Sequence, residues 1–396
     1  MAPIKKLLIT YSFYSFAAPI VSFLQSVFIW REFNDITYII FFNLGQYLII
    51  PLGFRINGKL AKHIPISKML LLGAFLYGVI SILLILYRVN NQFEIFILGL
   101  ISGMGIAFYW ANRNILTIKI THDNNRNKFL LYNSIISTTA GIIMPILVGY
   151  YISRMEIIYH FSINWIYTTL AILFLILMMA GPIYSIFDKR LSIEVSFKKT
   201  KIKNTKLIQG IALTTIQLGL LGVVNRIIII LLVLNVIGNE LELGTIQSTL
   251  TILSIIMMFG ISKIMQNHHR LLIYNIAIAF FVIAALLNMI FLNSLSVIFY
   301  IGVSTLVSEL IDLSTETITM KAMEVESARQ NIDISILQYD REKYWAIGRI
   351  TGLLLMLGLY IYGGNSIVLR SIMLIIGLIQ IPGVIFWKKI NRKTFE

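Results

Sequence analysis

The sequence contains no cysteine and little charge. The absence of cysteine excludes disulfide bonds and thiolate metal sites. Charged residues make up only 13% of the chain, whereas a soluble globular protein carries about 25%. Hydrophobic residues make up 58%. This composition predicts a protein that lies in a lipid bilayer.

Motifs for enzymatic chemistry are also lacking. The sequence has no Gly-Lys-Ser/Thr phosphate loop, no His-Glu-x-x-His and no paired Cys/His spacing. Among the five histidines, only His268 and His269 are adjacent, and they fall in a basic stretch where solvation is expected. We therefore expect a protein that is not an enzyme and that holds neither a metal ion nor a cofactor.

Long apolar segments recur along the whole chain. Each is long enough, at about 20 residues, to cross the hydrocarbon as a helix. They lie near 6–30, 36–54, 69–87, 93–119, 129–153, 164–187, 207–237, 244–265, 271–292, 295–320, 344–363 and 367–387. The sequence thus predicts an all-α membrane protein with twelve spans. The first segment runs into Trp30, Arg31 and Glu32 without a small-residue cleavage site, so it is expected to be a retained span.

Basic residues are distributed asymmetrically between the predicted loops. With a cytoplasmic N-terminus, the outer loops hold only Arg31, Arg88, Arg154 and Arg370, and most of the 33 Lys and Arg lie inside. The positive-inside rule then places both termini in the cytoplasm of a cell-membrane protein. Attraction to anionic lipid headgroups explains the net charge of +15, so membrane lipids are expected partners and nucleic acid is not.

A polar basic stretch, 189–206, divides the spans six and six. We take 1–188 as an N-terminal six-helix bundle, 189–206 as a cytoplasmic linker and 207–396 as a C-terminal six-helix bundle. The stretch Gly58–Lys68 after span 2 is weakly echoed by Gly260–Lys263 and His268–Arg270 after span 8. Two such halves are typical of transporters built from parallel repeats.

On these residues the chain resembles the major facilitator superfamily of secondary transporters. The segment from Gly58 to Lys68 is similar to the family's loop between helices 2 and 3, with Lys62 where an acid is usual. The segment Gly141–Gly149, with Pro145, is similar to the glycine-proline motif of the family's exporters, with Met144 where a glycine is usual. The resemblance implies alternating access around a central cavity, and the second motif slightly favours export.

The resemblance also implies that helices 1, 4, 7 and 10 line the central cavity. Ionisable residues within apolar segments are costly and mark functional sites. Arg113 lies in span 4, Arg226 in span 7, and Glu309, Asp312 and Glu316 all lie in span 10. This coincidence favours a transport pathway.

The three acids of span 10 fall within about 60° of one another on a helical wheel. Carboxylates stacked in a low-dielectric cavity repel one another, so at least one is expected to bind a proton near neutral pH. We therefore predict that Glu309, Asp312 and Glu316 couple transport to protons, with Glu316 open to pairing with Arg113 instead. The bland alternative is that these charges neutralise one another and hold helices together.

Guanidinium groups favour planar anionic partners such as carboxylate or phosphate. The sequence therefore predicts a small organic substrate that is anionic or zwitterionic. The candidate binding residues are Arg113, Arg226, Asn112, Tyr109, Trp110, Tyr11, Gln217 and Asn225. For the aromatic residues core packing is the alternative, for the polar ones interhelical hydrogen bonding, and for Arg226 snorkelling to the headgroups.

Charged inner segments are candidates for a cytoplasmic gate. One is the segment with Gly58, Lys59 and Lys62, and the other runs from Glu324 to Lys343 and leads to Arg349. Arg341 and Arg349 are the candidate gating residues of the second segment, for which a solvated loop is the simpler interpretation.

The function that follows is proton-coupled secondary transport of a small organic solute by a monomer, with efflux by antiport slightly favoured. Uptake by symport uses the same parts. A lipid flippase and a non-transporting membrane receptor are the remaining alternatives.

Overall fold

The protein was analysed as a computed structural model, which describes residues 3–87, 89–121, 123–186, 202–238, 240–264, 270–332 and 334–394. Within these ranges every regular element is helical. The α-helices are α1 Pro3–Ser22, α2 Phe28–Phe33, α3 Ile36–Leu60, α4 Ile66–Leu86, α5 Gln92–Ile120, α6 Asp123–Ile157, α7 Ile163–Ile186, α8 Lys206–Leu232, α9 Glu240–Ile264, α10 Arg270–Phe291, α11 Ser294–Gln330 and α12 Ile334–Thr394. Short π-helices, Phe23–Val27 and Val233–Ile237, extend α1 and α8.

The helices match the predicted spans closely, and the predicted fold class is confirmed. In the described part of the chain, nine helices are long and apolar enough to cross a membrane by length and composition. One of these, α12, contains both of the last two predicted spans. Its helical geometry is interrupted at Gly363 and at Gly364, where φ is +67°. A residue with a side chain would be strained at Gly364, so a glycine is required at this bend.

Side chains close the helix ends, because unpaired backbone groups are costly in a membrane. The Asp35 carboxylate accepts a hydrogen bond from the backbone of Thr37 at 2.8 Å, before α3. Before α5, the Asn91 side chain accepts a hydrogen bond from the backbone N–H of Glu94 at 3.0 Å. Asn293 forms a capping box at the start of α11. The starts of α3, α5 and α11 are therefore each capped by a polar side chain directly before the helix.

The chain forms two compact units. The first contains Met1–Lys198 and Asn239–Ser248, and the second contains Lys199–Gly238 and Thr249–Glu396. In the first unit α5 packs on α3 and α4, and α1 packs on α6 and α7. In the second unit α8 and α10 each pack on α11 and α12. Most of the predicted linker, residues 187–201, lies outside the described residues.

Residues 240–248 pack against the glycine-proline segment of α6 in the first unit. A Cβ at Gly149 would collide with the backbone carbonyl of Glu240, and one at Gly244 would collide with the carbonyl of Pro145. The Ser248 hydroxyl donates a 2.6 Å hydrogen bond to the carbonyl of Ile142. Small residues thus let the backbones of α6 and α9 approach closely.

Replacing Gly149 by alanine is expected to destabilise the protein by about 1–3 kcal/mol, because the new methyl group meets backbone that cannot move aside. Gly141→Ala is the matched control on the same helix, since a Cβ at Gly141 meets nothing within 4 Å. Thermal unfolding of both variants in detergent checks this. Equal melting temperatures for the two variants would contradict the packing described here.

The charged stretch from 324 to 343 is mostly helical, so the expectation of a solvated loop is wrong. Only residues 331–333 separate α11 from α12. Glu326 is fully buried and accepts hydrogen bonds from Thr205 Oγ1 at 2.8 Å and Gln330 Nε2 at 2.6 Å. These contacts stabilise the last turns of α11, beyond the predicted span. The sequence of those turns is polar, so the apolar pattern does not predict them.

Candidate functional site

Arg113 lies in an aromatic cluster between α1 and α5 in the first unit. Its guanidinium carbon Cζ is 4.2 Å from the ring centre of Tyr11, 4.9 Å from that of Tyr14 and 4.7 Å from that of Trp110. The rings come together because Tyr11 and Tyr14 are three residues apart on α1, as Trp110 and Arg113 are on α5, so each pair shares a face. Tyr109 stacks on Tyr14 at a centroid distance of 4.9 Å. The faces of these rings attract a cation.

Hydrogen bonds fix the position of this cluster. The Tyr11 hydroxyl lies 2.6 Å from the backbone carbonyl of Arg113, to which it donates, and 2.9 Å from Thr117 Oγ1. Arg113 Nη2 donates to Asn133 Oδ1 of α6 at 3.3 Å. The guanidinium is therefore held by α1, α5 and α6. Only 8% of the surface of Arg113 is exposed.

Two buried donors in the cluster lack a well-formed hydrogen bond. Arg113 Nη1 and the Tyr109 hydroxyl are buried and make no hydrogen bond of ordinary geometry in the described part of the chain. The hydroxyl lies near the same guanidinium. No carboxylate of the described residues forms an ion pair with Arg113. Buried polar groups without partners are rare, so the arrangement is suited to an added acceptor group with negative charge.

Asn112 does not join this cluster. Its Nδ2 donates to Asn57 Oδ1 of α3 at 2.6 Å, and Asn57 Nδ2 donates back at 3.3 Å. It also donates to the carbonyl of Phe108 at 2.6 Å. The amide thus joins α5 to α3.

The candidate residues of α8 make internal contacts in the second unit. Asn225 Oδ1 accepts hydrogen bonds from the hydroxyls of Tyr300 at 2.9 Å and Ser304 at 2.8 Å. Gln217 Nε2 donates to the backbone carbonyl of Ile379 at 2.6 Å. Arg226 is exposed. The first two residues thus tie α8 to α11 and α12.

The acids predicted to couple protons lie within α11, whose backbone is helical from Ser294 to Gln330. The side chains of Glu309, Asp312 and Glu316 lie outside the described residues. Their helical backbone places the three positions on one face of α11.

The candidate gating residues have different surroundings. Gly58 and Lys59 belong to the last turn of α3, and Lys62 is exposed in the turn that follows. By contrast, Arg341 is buried on α12 and donates from Nε to Thr215 Oγ1 of α8 at 3.0 Å. Arg349 Cζ lies 5.1 Å from the ring centre of Trp345.

An ion-pair cluster that the sequence does not indicate lies at the end of the first span. Arg31, expected in an outer loop, forms ion pairs with Glu156 at 2.7 Å and Glu240 at 2.9 Å. Glu156 ends α6 and Glu240 begins α9. The sequence does offer one weak signal for this cluster. Two span ends on the predicted outer side each have an acid, and the end of the first span, on the same side, has an arginine.

Comparison with known families gives one match over most of the chain. The family model for the Major Facilitator Superfamily matches residues 7–323.

Two curated bacterial proteins are similar in sequence. An uncharacterized protein in the sodM 3'region of Geobacillus stearothermophilus is 29% identical over 144 residues, which are 36% of this chain and 67% of that protein. The uncharacterized protein YqgE of Bacillus subtilis (strain 168) is 28% identical over 189 residues, which are 48% of this chain. That match spans 43% of the length of YqgE.

Solved structures share the fold. A bacterial homologue of the human lysosomal transporter Spinster, in an inward-facing and occupied conformation, aligns with a TM-score of 0.69 and 12% identity over 99% of this chain and 97% of that one. A POT family transporter in complex with a thioalcohol-conjugated peptide aligns with a TM-score of 0.67 and 12% identity over 98% and 96% of the two chains. At these identities the likeness concerns the fold.

Proposed function

The chain belongs to the Major Facilitator Superfamily, and from that premise we propose that it couples protons to the movement of a small organic solute with an anionic group. The protein is a multi-pass membrane protein with the fold of secondary transporters that work by alternating access. The solute class, the proton coupling and the direction are our proposal. The observation that best supports the solute class is that Arg113 Nη1 and the Tyr109 hydroxyl are buried without a hydrogen bond of ordinary geometry.

The donors at Arg113 favour a carboxylate as the anionic group. Arg113 Nη1 and the Tyr109 hydroxyl are buried near one another, and neither makes a hydrogen bond of ordinary geometry. A carboxylate presents two acceptor oxygens in one plane, which matches the planar array of guanidinium donors. The aromatic rings of Tyr14 and Trp110 around the cation provide apolar contact for the rest of a small solute. A zwitterion would satisfy the same donors through its acidic end.

Proton coupling is assigned to the acidic face of α11. The positions of Glu309, Asp312 and Glu316 recur at helical spacing on a helix that is continuous through all three. Closely spaced acids in a poorly solvated helix bundle favour binding of a proton by at least one of them. Export is favoured over uptake because the Gly141–Gly149 segment resembles the family's exporter motif. The bias of basic residues supports cytoplasmic termini.

Proton flux in vesicles tests this function. Wild type, Glu309→Gln, Asp312→Asn and the control Glu324→Gln would be reconstituted with an internal pH dye and exposed to pools of organic carboxylates, zwitterions and cationic drugs. Glu324 is the control because it is exposed on the same helix. We expect carboxylate-evoked flux in wild type and control, and loss of flux in at least one of the two variants.

Other outcomes would change the conclusion. Equal flux in all four proteins would remove Glu309 and Asp312 from the coupling step. Flux evoked only by cationic drugs would contradict the anionic solute class. The relative direction of proton and solute movement separates antiport from symport.

A further inference from the structure

Four exposed basic side chains lie around the turn between α3 and α4 in the first unit. Arg55 and Lys59 are one turn apart on α3, Lys62 is in the turn itself, and Lys68 is in the first turn of α4. The sequence has no aspartate or glutamate from 36 to 93. None of the four forms an ion pair among the described residues. This surface therefore has a concentration of positive charge that its own part of the chain does not balance.

Hydrogen bonds fix the backbone of this turn. The carbonyl of Leu60 accepts from the N–H groups of His63 and Ile64, each at 2.9 Å. The buried amide of Asn57, near the end of α3, pairs with that of Asn112 on α5. The exposed lysines are thus carried by a preformed turn, and a ligand would not have to order the backbone in order to bind.

The start of α4 lacks a side-chain cap. Pro65 precedes the helix and provides no hydrogen bond from its side chain, whereas α3, α5 and α11 each have a capping side chain. The first N–H groups of a helix have no partner within it and form its positive end. This end can bind an anion. Without an anion, Lys62 and Lys68 lie where a positive charge is unfavourable.

A buried hydroxyl in the first turn of α4 also lacks a partner. Ser67, the second residue of the helix, is fully buried, and its Oγ makes no hydrogen bond in the described part of the chain. Buried polar groups without a partner are costly and rare. By contrast, Ser81 on the same helix donates to the carbonyl of Tyr77 at 3.0 Å. An oxygen atom placed at the start of α4 would supply the acceptor that Ser67 lacks.

We propose that the start of α4 and the lysines around it bind the phosphate group of an anionic phospholipid. A phosphate presents a negative charge and several acceptor oxygens, which suit the free helix N–H groups, the Ser67 hydroxyl and the ammonium groups of Lys62 and Lys68. A lipid is favoured over a soluble phosphate because the turn joins two helices of membrane-crossing length. Basic clusters at the membrane surface attract anionic headgroups.

The resemblance of this segment to a known loop adds a reason. An acid is usual in that loop at the position of Lys62, so the negative charge that the loop ordinarily carries is absent from this chain. In the proposed complex the bilayer supplies that charge instead. The inference does not depend on the proposed solute or on proton coupling.

Fluorescence quenching by brominated lipids tests the proposal. The chain lacks cysteine, so a fluorophore can be attached at Leu72→Cys, which is one turn after Lys68 and 41% exposed. The labelled full-length protein would be reconstituted in mixtures of phosphatidylcholine and phosphatidylglycerol, with the bromine first on one lipid and then on the other. We expect phosphatidylglycerol to be preferred at this position.

Three variants in the labelled background make the test specific. Lys62→Gln should lower the preference for phosphatidylglycerol about fivefold, since each basic contact with an anionic lipid surface contributes about that factor. Ser67→Ala should also lower the preference, although it changes no charge. Lys5→Gln is the matched control, because Lys5 is an exposed lysine near the start of α1 on the same predicted side of the membrane. It should leave the preference unchanged.

Three results would overturn the site. The first is equal quenching by both lipids in the wild type. The second is a loss in Lys5→Gln as large as that in Lys62→Gln, and the third is an unchanged preference in Ser67→Ala. Either of the last two would show diffuse attraction to the membrane surface and not binding at α4. If inorganic phosphate abolishes the preference and potassium chloride of equal ionic strength does not, the site takes free phosphate and the lipid is overturned as its occupant.

Discussion

Replacing Arg113 by methionine is expected to weaken solute binding strongly while leaving the protein about as stable as the wild type. Removing one partner of a buried charged pair typically costs about 2–5 kcal/mol of binding free energy. A loss of about 2 kcal/mol already weakens binding roughly 30-fold, since 1.4 kcal/mol is a factor of ten. Affinity for the carboxylate found in the flux screen should therefore fall by at least that factor.

The expected stability follows from how Arg113 is held. Its Nη1 is buried without an acceptor, and no described carboxylate pairs with it. Burial of an incompletely paired charge opposes folding, and this cost offsets the attraction to the rings of Tyr11, Tyr14 and Trp110. Methionine has a similar length and packs well against aromatic rings. A residue retained for binding is one whose removal harms function more than stability.

Two measurements check this prediction. Equilibrium binding by calorimetry gives the affinity, and thermal unfolding in the same detergent gives the stability. Arg154→Met is the matched control, because Arg154 is an exposed arginine that also contacts a tyrosine ring, at 5.2 Å. A variant at Arg113 that unfolds far below the wild type yet binds the carboxylate normally would show a purely structural role.

Local patterns in the sequence predict most of the fold. The predicted spans 36–54 and 93–119 lie inside α3 and α5, because a run of apolar residues of membrane length is a property of contiguous sequence. The ends are less predictable, since α11 continues to Gln330 through polar turns held by the buried Glu326. That support comes from Thr205, which is 121 residues away.

The candidate site likewise has one part that local sequence predicts and another part that it does not. Arg113, Trp110 and Tyr109 are close in sequence and share a helix face, so helical spacing places them together. Asn112 is adjacent to Arg113 but turned by about 100° on the helix, and it pairs with Asn57 instead. The cluster at Arg31 could not be predicted from spacing, because Glu156 is 125 residues distant.

Removal of Arg31 is expected to be the most destabilising single change in the Arg31–Glu156–Glu240 cluster. Arg31→Met leaves the carboxylates of Glu156 and Glu240 without the cation that both contact. Breaking a buried ion pair by removing one partner costs about 3–5 kcal/mol. Because Arg31 and Glu156 are partly exposed, we expect a loss below this range, about 2–3 kcal/mol after solvent screening.

The cause of this loss can be separated from a simple loss of packing by a second substitution. In the Arg31→Met background, Glu240→Gln should recover a large part of the stability, because it removes the buried charge that no longer has a partner.

Unfolding of Arg31→Met, Glu240→Gln and the double variant, each measured near neutral pH, gives the coupling between the two positions directly. Arg154→Met supplies the control for removing an arginine at the end of α6, where a surface change should stay within about 0.5 kcal/mol. If the two substitutions were simply additive, the guanidinium and the Glu240 carboxylate would not interact, and Arg31 would act only through Glu156 and its own packing. If Glu240→Gln instead stabilises the Arg31→Met background but not the wild type, the charge of Glu240 is the charge that Arg31 balances.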